Sequence, residues 1–247
     1  AISTLGIGTG WNDEFLDRIA LLSGGLPFYA ERPSQIGEVL TQEVRRLAAL
    51  VCPQLEARYW LEPDVALHGA FLTAPQTVRL AAEDASGPLR LGGLSLHSPT
   101  SFLLELLVHP RPAGPQRLGT IQVKAAEPTQ GIPSPLVGLR QPVRVTFREL
   151  PFSPPPVPPE VVQAAHRATL LKLEERARQD IERGWHEDAS RRLRSLATRM
   201  LDTGEAELAR TIFLEADRVA ATGKMSPEGQ KRVHYGTRML RALPPGG

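Results

Sequence analysis

Within its first 52 residues the chain alternates short apolar strands with amphipathic helices, and this βαβα order constrains the fold more than any other feature. Ile2 to Ile7 reads as a short buried strand. After the glycine-rich turn Gly6-Ile7-Gly8-Thr9-Gly10, the residues Phe15, Leu16, Ile19 and Ala20 follow helical spacing. Asn12 is placed to cap that helix, with Asp13 and Glu14 in its first turn, where carboxylates meet the positive end of the helix dipole. Gly24 and Gly25 end it. Pro27 to Ala30 gives a second strand, and Pro33-Ser34 opens a second helix carrying Ile36, Val39, Leu40, Val44, Leu47 and Leu50 along one side. Such an order builds an open parallel sheet. Two strands and two helices leave one sheet edge and one face uncovered, so the region reads as incomplete. A second copy could pair with the exposed edge and give a homo-oligomer.

From Arg58 to Glu149 the apolar period changes to two. RYWLEP, VALHGAFL, TVRLAA, FLLELLVH, RLGTIQVKAA and PVRVTFREL are successive candidate strands. Turn signals at Ala74-Pro75, Ser86-Gly87-Pro88, His109-Pro110 and Gly131 to Pro133 separate them. This punctuation predicts an antiparallel β-sandwich. The run PFSPPPVPP, residues 151–159, is a stiff polyproline-type spacer. Beyond it, three stripes at helical spacing follow: Val161, Ala164, Ala165, Ala168, Leu171 and Ile181; then Trp185, Ala189, Leu193, Leu196, Ala197 and Met200; then Ala209, Ile212, Phe213, Ala216, Val219 and Ala220. Gly184, Gly204 and Gly223 punctuate them, Ser226-Pro227-Glu228 restarts a last helix, and Leu243-Pro-Pro-Gly-Gly ends it. The expected fold is therefore mixed α/β and multi-domain. Residues 1–52 form part of a parallel α/β domain, 58–150 a β-sandwich, 151–159 a linker and 160–243 a helical bundle.

Composition excludes several function classes. A formal charge of +2, with 13 basic and 14 acidic residues up to Pro159 and 16 and 13 beyond it, lacks the basic footprint of a nucleic-acid binder in either part. Cys52 stands alone, so no disulfide framework or cysteine-based zinc site arises within the chain. No apolar run approaches the ~20 residues that cross a bilayer, and a cytoplasmic location is the default. The opening turn departs from a dinucleotide fingerprint, because Trp11 occupies the third glycine position. It also lacks the Lys-Ser/Thr of a P-loop. The six histidines are scattered and read as surface or internally satisfied side chains. Glu174 and Glu175, beside Arg176 and Arg178, read as a solvated helix face, as do Arg191, Arg192, Arg194 and Arg199. No constellation able to run a reaction stands out, and the chain is expected not to be an enzyme.

The segment ISTLGIGTGWNDEFLDRIALLSGG followed by PFYAERPSQIGEVLTQEV resembles the last third of a bacterial von Willebrand factor A (VWA) domain. The matching positions are Thr4-Leu5-Gly6-Ile7-Gly8, Asn12, Leu16, Ile19, Ala20, Gly24-Gly25, Phe28-Tyr29 and Pro33 to Val44. Leu91-Gly92-Gly93-Leu94 and the closing Lys231-Arg232-Val233-His234-Tyr235-Gly236-Thr237-Arg238 resemble the sandwich and helical end of such proteins. The resemblance implies a protein-recognition and scaffolding role and a partner such as a MoxR-type AAA ATPase. In a full VWA domain it also implies a divalent metal, Mg²⁺, held by a D-x-S-x-S loop, a Thr and an Asp, none of which matches a position here. The chain is thus expected to be a C-terminal fragment that binds no metal at that site. Open α/β sheets meet ligands at the carboxyl ends of their strands, which makes Thr9, Trp11 and Asn12 the expected partner-binding residues. Trp11 is either the anchor or a cover for the adjacent helix. A nucleotide-binding enzyme using the Gly6–Gly10 loop is the competing reading, and nucleic-acid binding through the C-terminal arginines a third.

Overall fold

The structure is a computed structural model that describes residues 1–80, 87–125, 138–149 and 153–240. The expected turn at Gly131 to Pro133 and the terminal Leu243-Pro-Pro-Gly-Gly lie outside the described residues, as do Ser86 and the first two residues of the proline-rich run. The fold is mixed α/β, with one parallel sheet, two antiparallel sheets and six α-helices among the described residues. None of these helices is long and apolar enough to cross a membrane.

The opening segment gives β1 (Thr4–Ile7), α1 (Asp13–Ser23), β2 (Pro27–Ala30), a 3-10 turn at Pro33–Gln35 and α2 (Ile36–Ala48). β1 and β2 pair in parallel, from Thr4 opposite Pro27 to Ile7 opposite Ala30. Asn12 caps α1 as expected: the Phe15 amide donates to its Oδ1 at 3.1 Å. Gly24 ends the helix in the left-handed region, at φ 77°. Gly6 has a different reason to be glycine. The Trp11 indole lies directly across it, so that a Cβ at Gly6 would sit 2.0 Å from the ring. The glycine turn is therefore closed by a side chain of its own loop.

Two antiparallel sheets follow. β3 (Leu50–Leu61), β6 (Leu89–Ser95), β8 (Gly114–Ala125) and β9 (Leu139–Phe147) form one, in the order β6-β3-β8-β9. β4 (Val65–Ala74), β5 (Val78–Arg79) and β7 (Ser101–Val108) form the other, in the order β5-β4-β7. Two features differ from the sequence reading. β3 begins at Leu50 rather than Arg58, because irregularities between Leu50 and Glu56 break the alternation that would have marked its start. β6 was hidden by Gly92 and Gly93, although Leu89, Leu91, Gly93 and Ser95 do alternate inward. Both sheets feed one buried cluster, Cys52, Leu55, Ala57, Leu89 and Leu91 meeting Ala70, Leu72 and Val78.

Exposed residues 153–158, without helix or strand, lead into α3 (Pro159–Glu182), α4 (His186–Asp202), α5 (Ala206–Thr222) and α6 (Pro227–Arg238). Leu170, Ala177, Leu193, Leu196, Met200, Ile212, Val219 and Val233 form their shared core. Val161, Ala165, Trp185 and Ala220, which the stripes placed inside, are exposed. α3 divides its apolar surface between two neighbours. Ala168 and Leu171 pack on Phe71 of β4, while Leu170 and Ala177 face the other helices. Lys172 with Glu105, Arg79 with Glu175 at 2.6 Å, and Arg167 Nη1 with the Thr73 carbonyl at 2.6 Å pin α3 to the smaller sheet.

Gly6→Ala is expected to destabilise the chain by about 1–3 kcal/mol through overpacking. Urea unfolding of Gly6→Ala, Trp11→Ala and the double variant checks this. The cost of the alanine should largely vanish once the indole is removed.

Candidate functional site

The loop from Gly8 to Asp13 sits at the carboxyl ends of β1 and β2, where an open parallel sheet presents its ligand edge. Thr9 is half-buried and Asn12 exposed, with its Oδ1 taken by the helix cap. Trp11 is half-buried and engaged within the chain. Its Nε1–H donates to the Gly8 carbonyl at 2.8 Å. Its ring centroid lies 6.2 Å from that of Tyr29 on β2 and 5.7 Å from that of Tyr235 on α6. Lys231 Nζ stands 4.1 Å above the indole, a cation–π contact. The loop's three expected binding residues are thus adjacent in space, and helix α6 supplies the surface behind them.

Behind Trp11 the two ends of the sequence meet in a buried charged network. Asp17 of α1 accepts three hydrogen bonds from α6: His234 Nε2 at 2.9 Å, the Tyr235 hydroxyl at 2.7 Å and Arg238 Nη1 at 2.6 Å. One turn earlier, Asp13 pairs with Lys231 at 3.0 Å, and Lys231 also donates to the Trp11 carbonyl at 3.0 Å. His234 Nδ1 lies 3.0 Å from Glu174 of α3. Here the sequence reading needs correction. Glu174 belongs to no solvated face; it is buried, because α3 and α6 pack that side of the helix inward.

The protonation states follow from the geometry. Burial pushes the Asp17 carboxyl up, but the His234 hydrogen bond and the Arg238 charge more than offset it and hold the group at about 2. Glu174 is likewise lowered despite burial, chiefly by its hydrogen bond with His234. With both carboxylates ionised, both His234 nitrogens must donate, so the ring is an imidazolium. Burial alone would lower its pKa, yet the bonds to Asp17 and Glu174 raise it above the ordinary 6.5. Burial, and then the Asp17 hydrogen bond, raise the Tyr235 hydroxyl far out of the physiological range. Asp13, Asp17 and Glu174 are then balanced by Lys231, His234 and Arg238.

This arrangement is structural chemistry. With both ring nitrogens donating, His234 has no lone pair for a proton or a metal. The acidic residues closest to the loop do not fit a divalent cation either, because Asp13 and Asp17 already face cations of α6. Among the described residues no group of three or more His, Cys, Asp or Glu is placed to hold a metal ion. Of the four arginines read as a solvated helix face, Arg191 pairs with Asp188, Arg192 with Asp180 at 2.5 Å and Arg194 with Asp217. One signal could have revealed the network. Asp13 and Asp17 are spaced i, i+4 on one helix, and Lys231, His234, Tyr235 and Arg238 are spaced i, i+3, i+4, i+7 on another. These are complementary polar stripes on faces otherwise expected to be apolar.

Comparison with known proteins agrees with this architecture. Residues 159–242 match the family model described as "Sll0103-like, C-terminal alpha-helical domain". The uncharacterized protein sll0103 of Synechocystis sp. (strain ATCC 27184 / PCC 6803 / Kazusa) is 26% identical over 137 residues, 53% of this chain and 32% of that protein. The solved structure of von Willebrand factor type A from Catenulispora acidiphila superposes with a TM-score of 0.73 at 14% identity, covering 97% of this chain and 58% of that one. The chain therefore has a VWA-like fold and spans about a third of the curated relative's length.

The network makes stability depend on pH in a defined sense. The raised pKa of His234 contributes stability that is complete below 6.5 and declines as pH rises through the folded value. The lowered carboxylates contribute stability that is complete above 4.5 for Glu174 and 3.8 for Asp17, and that is lost as pH falls through their folded values, about 2 for Asp17. Calorimetric Tm should therefore peak between these limits. In His234→Gln the alkaline decline should disappear, with a loss of about 3–5 kcal/mol at pH 6 from carboxylates left buried without their cation.

Proposed function

We propose that this chain is a non-enzymatic protein-binding and scaffolding module, the C-terminal portion of a VWA-type protein. Its antiparallel sheets would act as a sandwich and its helices as a bundle, each offering docking surface. The observation that carries this reading is the outer face of α2. Leu40, Val44 and Leu47, at i, i+4 and i+7, are 50%, 62% and 41% exposed. Ile2 and Ile7, flanking and ending β1, are exposed as well. A helix of an α/β layer normally buries such a stripe, and contiguous exposed apolar surface marks an interaction site. The VWA-like fold, which commonly mediates protein interactions, supports the same reading.

The competing nucleotide reading draws less support. The space over Gly6 that a pyrophosphate would need is filled by the Trp11 indole, and Lys231 is committed to Trp11 and Asp13. Thr9, Trp11 and Asn12 are proposed as the loop's contribution to the interface, with Trp11 presenting only its outer edge. A MoxR-type AAA ATPase is the partner class the family resemblance implies, and Mg²⁺ would belong to a full VWA domain rather than to these residues.

A photo-crosslinking residue at Val44, introduced into the protein in its native host, tests the reading. Protein adducts should form and should be suppressed by Leu40→Lys with Leu47→Lys, substitutions that change stability by less than about 0.5 kcal/mol because the sites are already exposed. Absence of protein adducts, or adducts insensitive to those lysines, would count against it.

A further inference from the structure

The outer face of the four-stranded sheet carries an arrangement that the opening loop and α2 do not explain. Cross-strand register places Arg58 of β3 opposite Gln122 of β8, and Gln122 opposite Arg140 of β9. The next row is Trp60, Thr120 and Pro142, and the row beyond is Arg117 with Arg144. Arg140 lies 5.0 Å over the Trp60 ring, which fixes both on this face. Arg117 bonds the Thr120 hydroxyl at 2.8 Å, which places it there too. Trp60 remains 46% exposed, and Arg58, Arg140 and Arg144 are exposed. None of those three arginines faces a carboxylate among the described residues; Arg117 has a loose pairing with Glu62 at 3.6 Å, and Glu56 lies in the row before Arg58. Trp60 and Pro142, with Thr120 between them, are thus bracketed by two rows that carry arginines.

The spacing specifies the complement. Side chains two residues apart on a strand are roughly 7 Å apart, so the arginine rows lie roughly 13–14 Å apart with the Trp60 row midway. An extended peptide presents the same spacing on one of its own faces. Carboxylates at i and i+4 would meet the two rows, and an apolar side chain at i+2 would meet Trp60 and Pro142. Arginine forks suit carboxylates, which they bind bidentately. A single-stranded nucleic acid fits less well. One face of the Trp60 ring holds the Arg140 guanidinium, so an apolar side chain would meet the ring edge and Pro142, whereas base stacking needs an open ring face.

We propose that this sheet face docks an extended acidic segment of a partner protein, patterned Glu/Asp-x-apolar-x-Glu/Asp. The proposal rests on the protein-binding reading and adds a second surface to it, on elements separate from α2. Fluorescence anisotropy on the intact chain tests it with three labelled probes: a decapeptide centred on Glu-Ala-Leu-Ala-Glu, its Gln-Ala-Leu-Ala-Gln counterpart, and a ten-residue oligothymidine. The acidic peptide should bind, weaken with added salt, and lose about tenfold or more in affinity with Arg140→Glu plus Arg144→Glu. Trp60→Ala should weaken it independently of charge. The unchanged Tm of each variant verifies its fold, and Arg144→Gln replaces the double variant if that one is destabilised. Equal binding of the two peptides, no binding of either, or indifference to the arginine substitutions would overturn the proposal. Tighter, arginine-dependent binding of oligothymidine would overturn it in favour of nucleic acid. A negative result here leaves crosslinking from Val44 unaffected, so the two readings fail separately.

Discussion

The carboxylate of Asp17 is the point on which the arrangement of this chain depends. It lies near the start of the sequence, yet its three hydrogen-bond donors all come from the last helix. Each donor would be costly to bury without an acceptor, and the carboxylate would be more costly still. The four groups therefore stabilise one another only when α6 lies against α1 in one register. Such a network adds little net stability compared with an apolar core of the same volume. Its effect is selective: a shift of one residue along either helix would strand buried charge, so the alternatives are penalised more than the native pairing is favoured.

His234 extends that selectivity to a third element. By donating to both Asp17 and Glu174 it locks α3, and α3 in turn carries Ala168 and Leu171 onto Phe71 of the smaller antiparallel sheet. One buried imidazolium thus ties α1, α6 and α3 together, while Gln76 Nε2 to the Pro27 carbonyl at 3.1 Å and Arg90 Nη1 to the Leu22 carbonyl at 2.9 Å join the opening segment to the sheets directly. The aromatic group of Trp11, Tyr29 and Tyr235 shields this network on the loop side. Gly6 is glycine because that shield requires the indole to lie flat on the strand. The glycine-rich turn, which in outline suggests a phosphate cradle, is packed against its own tryptophan. Besides the outer edge of this loop, open surface lies on the outer stripe of α2 and on the arginine-bracketed sheet face.

Much of the local structure was legible in the sequence. Asn12 and Gly24 set the limits of α1 by capping chemistry, and Pro27 to Ala30 was bounded by its flanking glycines and turn residues. Gly184, Gly204 and Gly223 marked the helix junctions, all at positive φ. β6 and the start of β3 were not legible, because paired glycines and irregular pairing interrupt the alternation that identifies strands. Nor was the Asp17 network legible. Its partners are more than two hundred residues apart, and single-helix periodicity treats polar residues as outward-facing by default. Glu174 was misread for the same reason: beside Glu175, Arg176 and Arg178 it looks like one more surface charge.

The central claim is that α1 and α6 are held as one cooperative unit by the Asp17–His234 contact. Native-state hydrogen exchange, residue by residue, tests it most directly. Amides of α1, β2 and α6 should open together with a shared free energy in the native chain, and His234→Leu should release α1 and β2 while α4 and α5 stay protected. If α1 and β2 already exchange independently of α6 in the native chain, the network does not join them and the account is wrong.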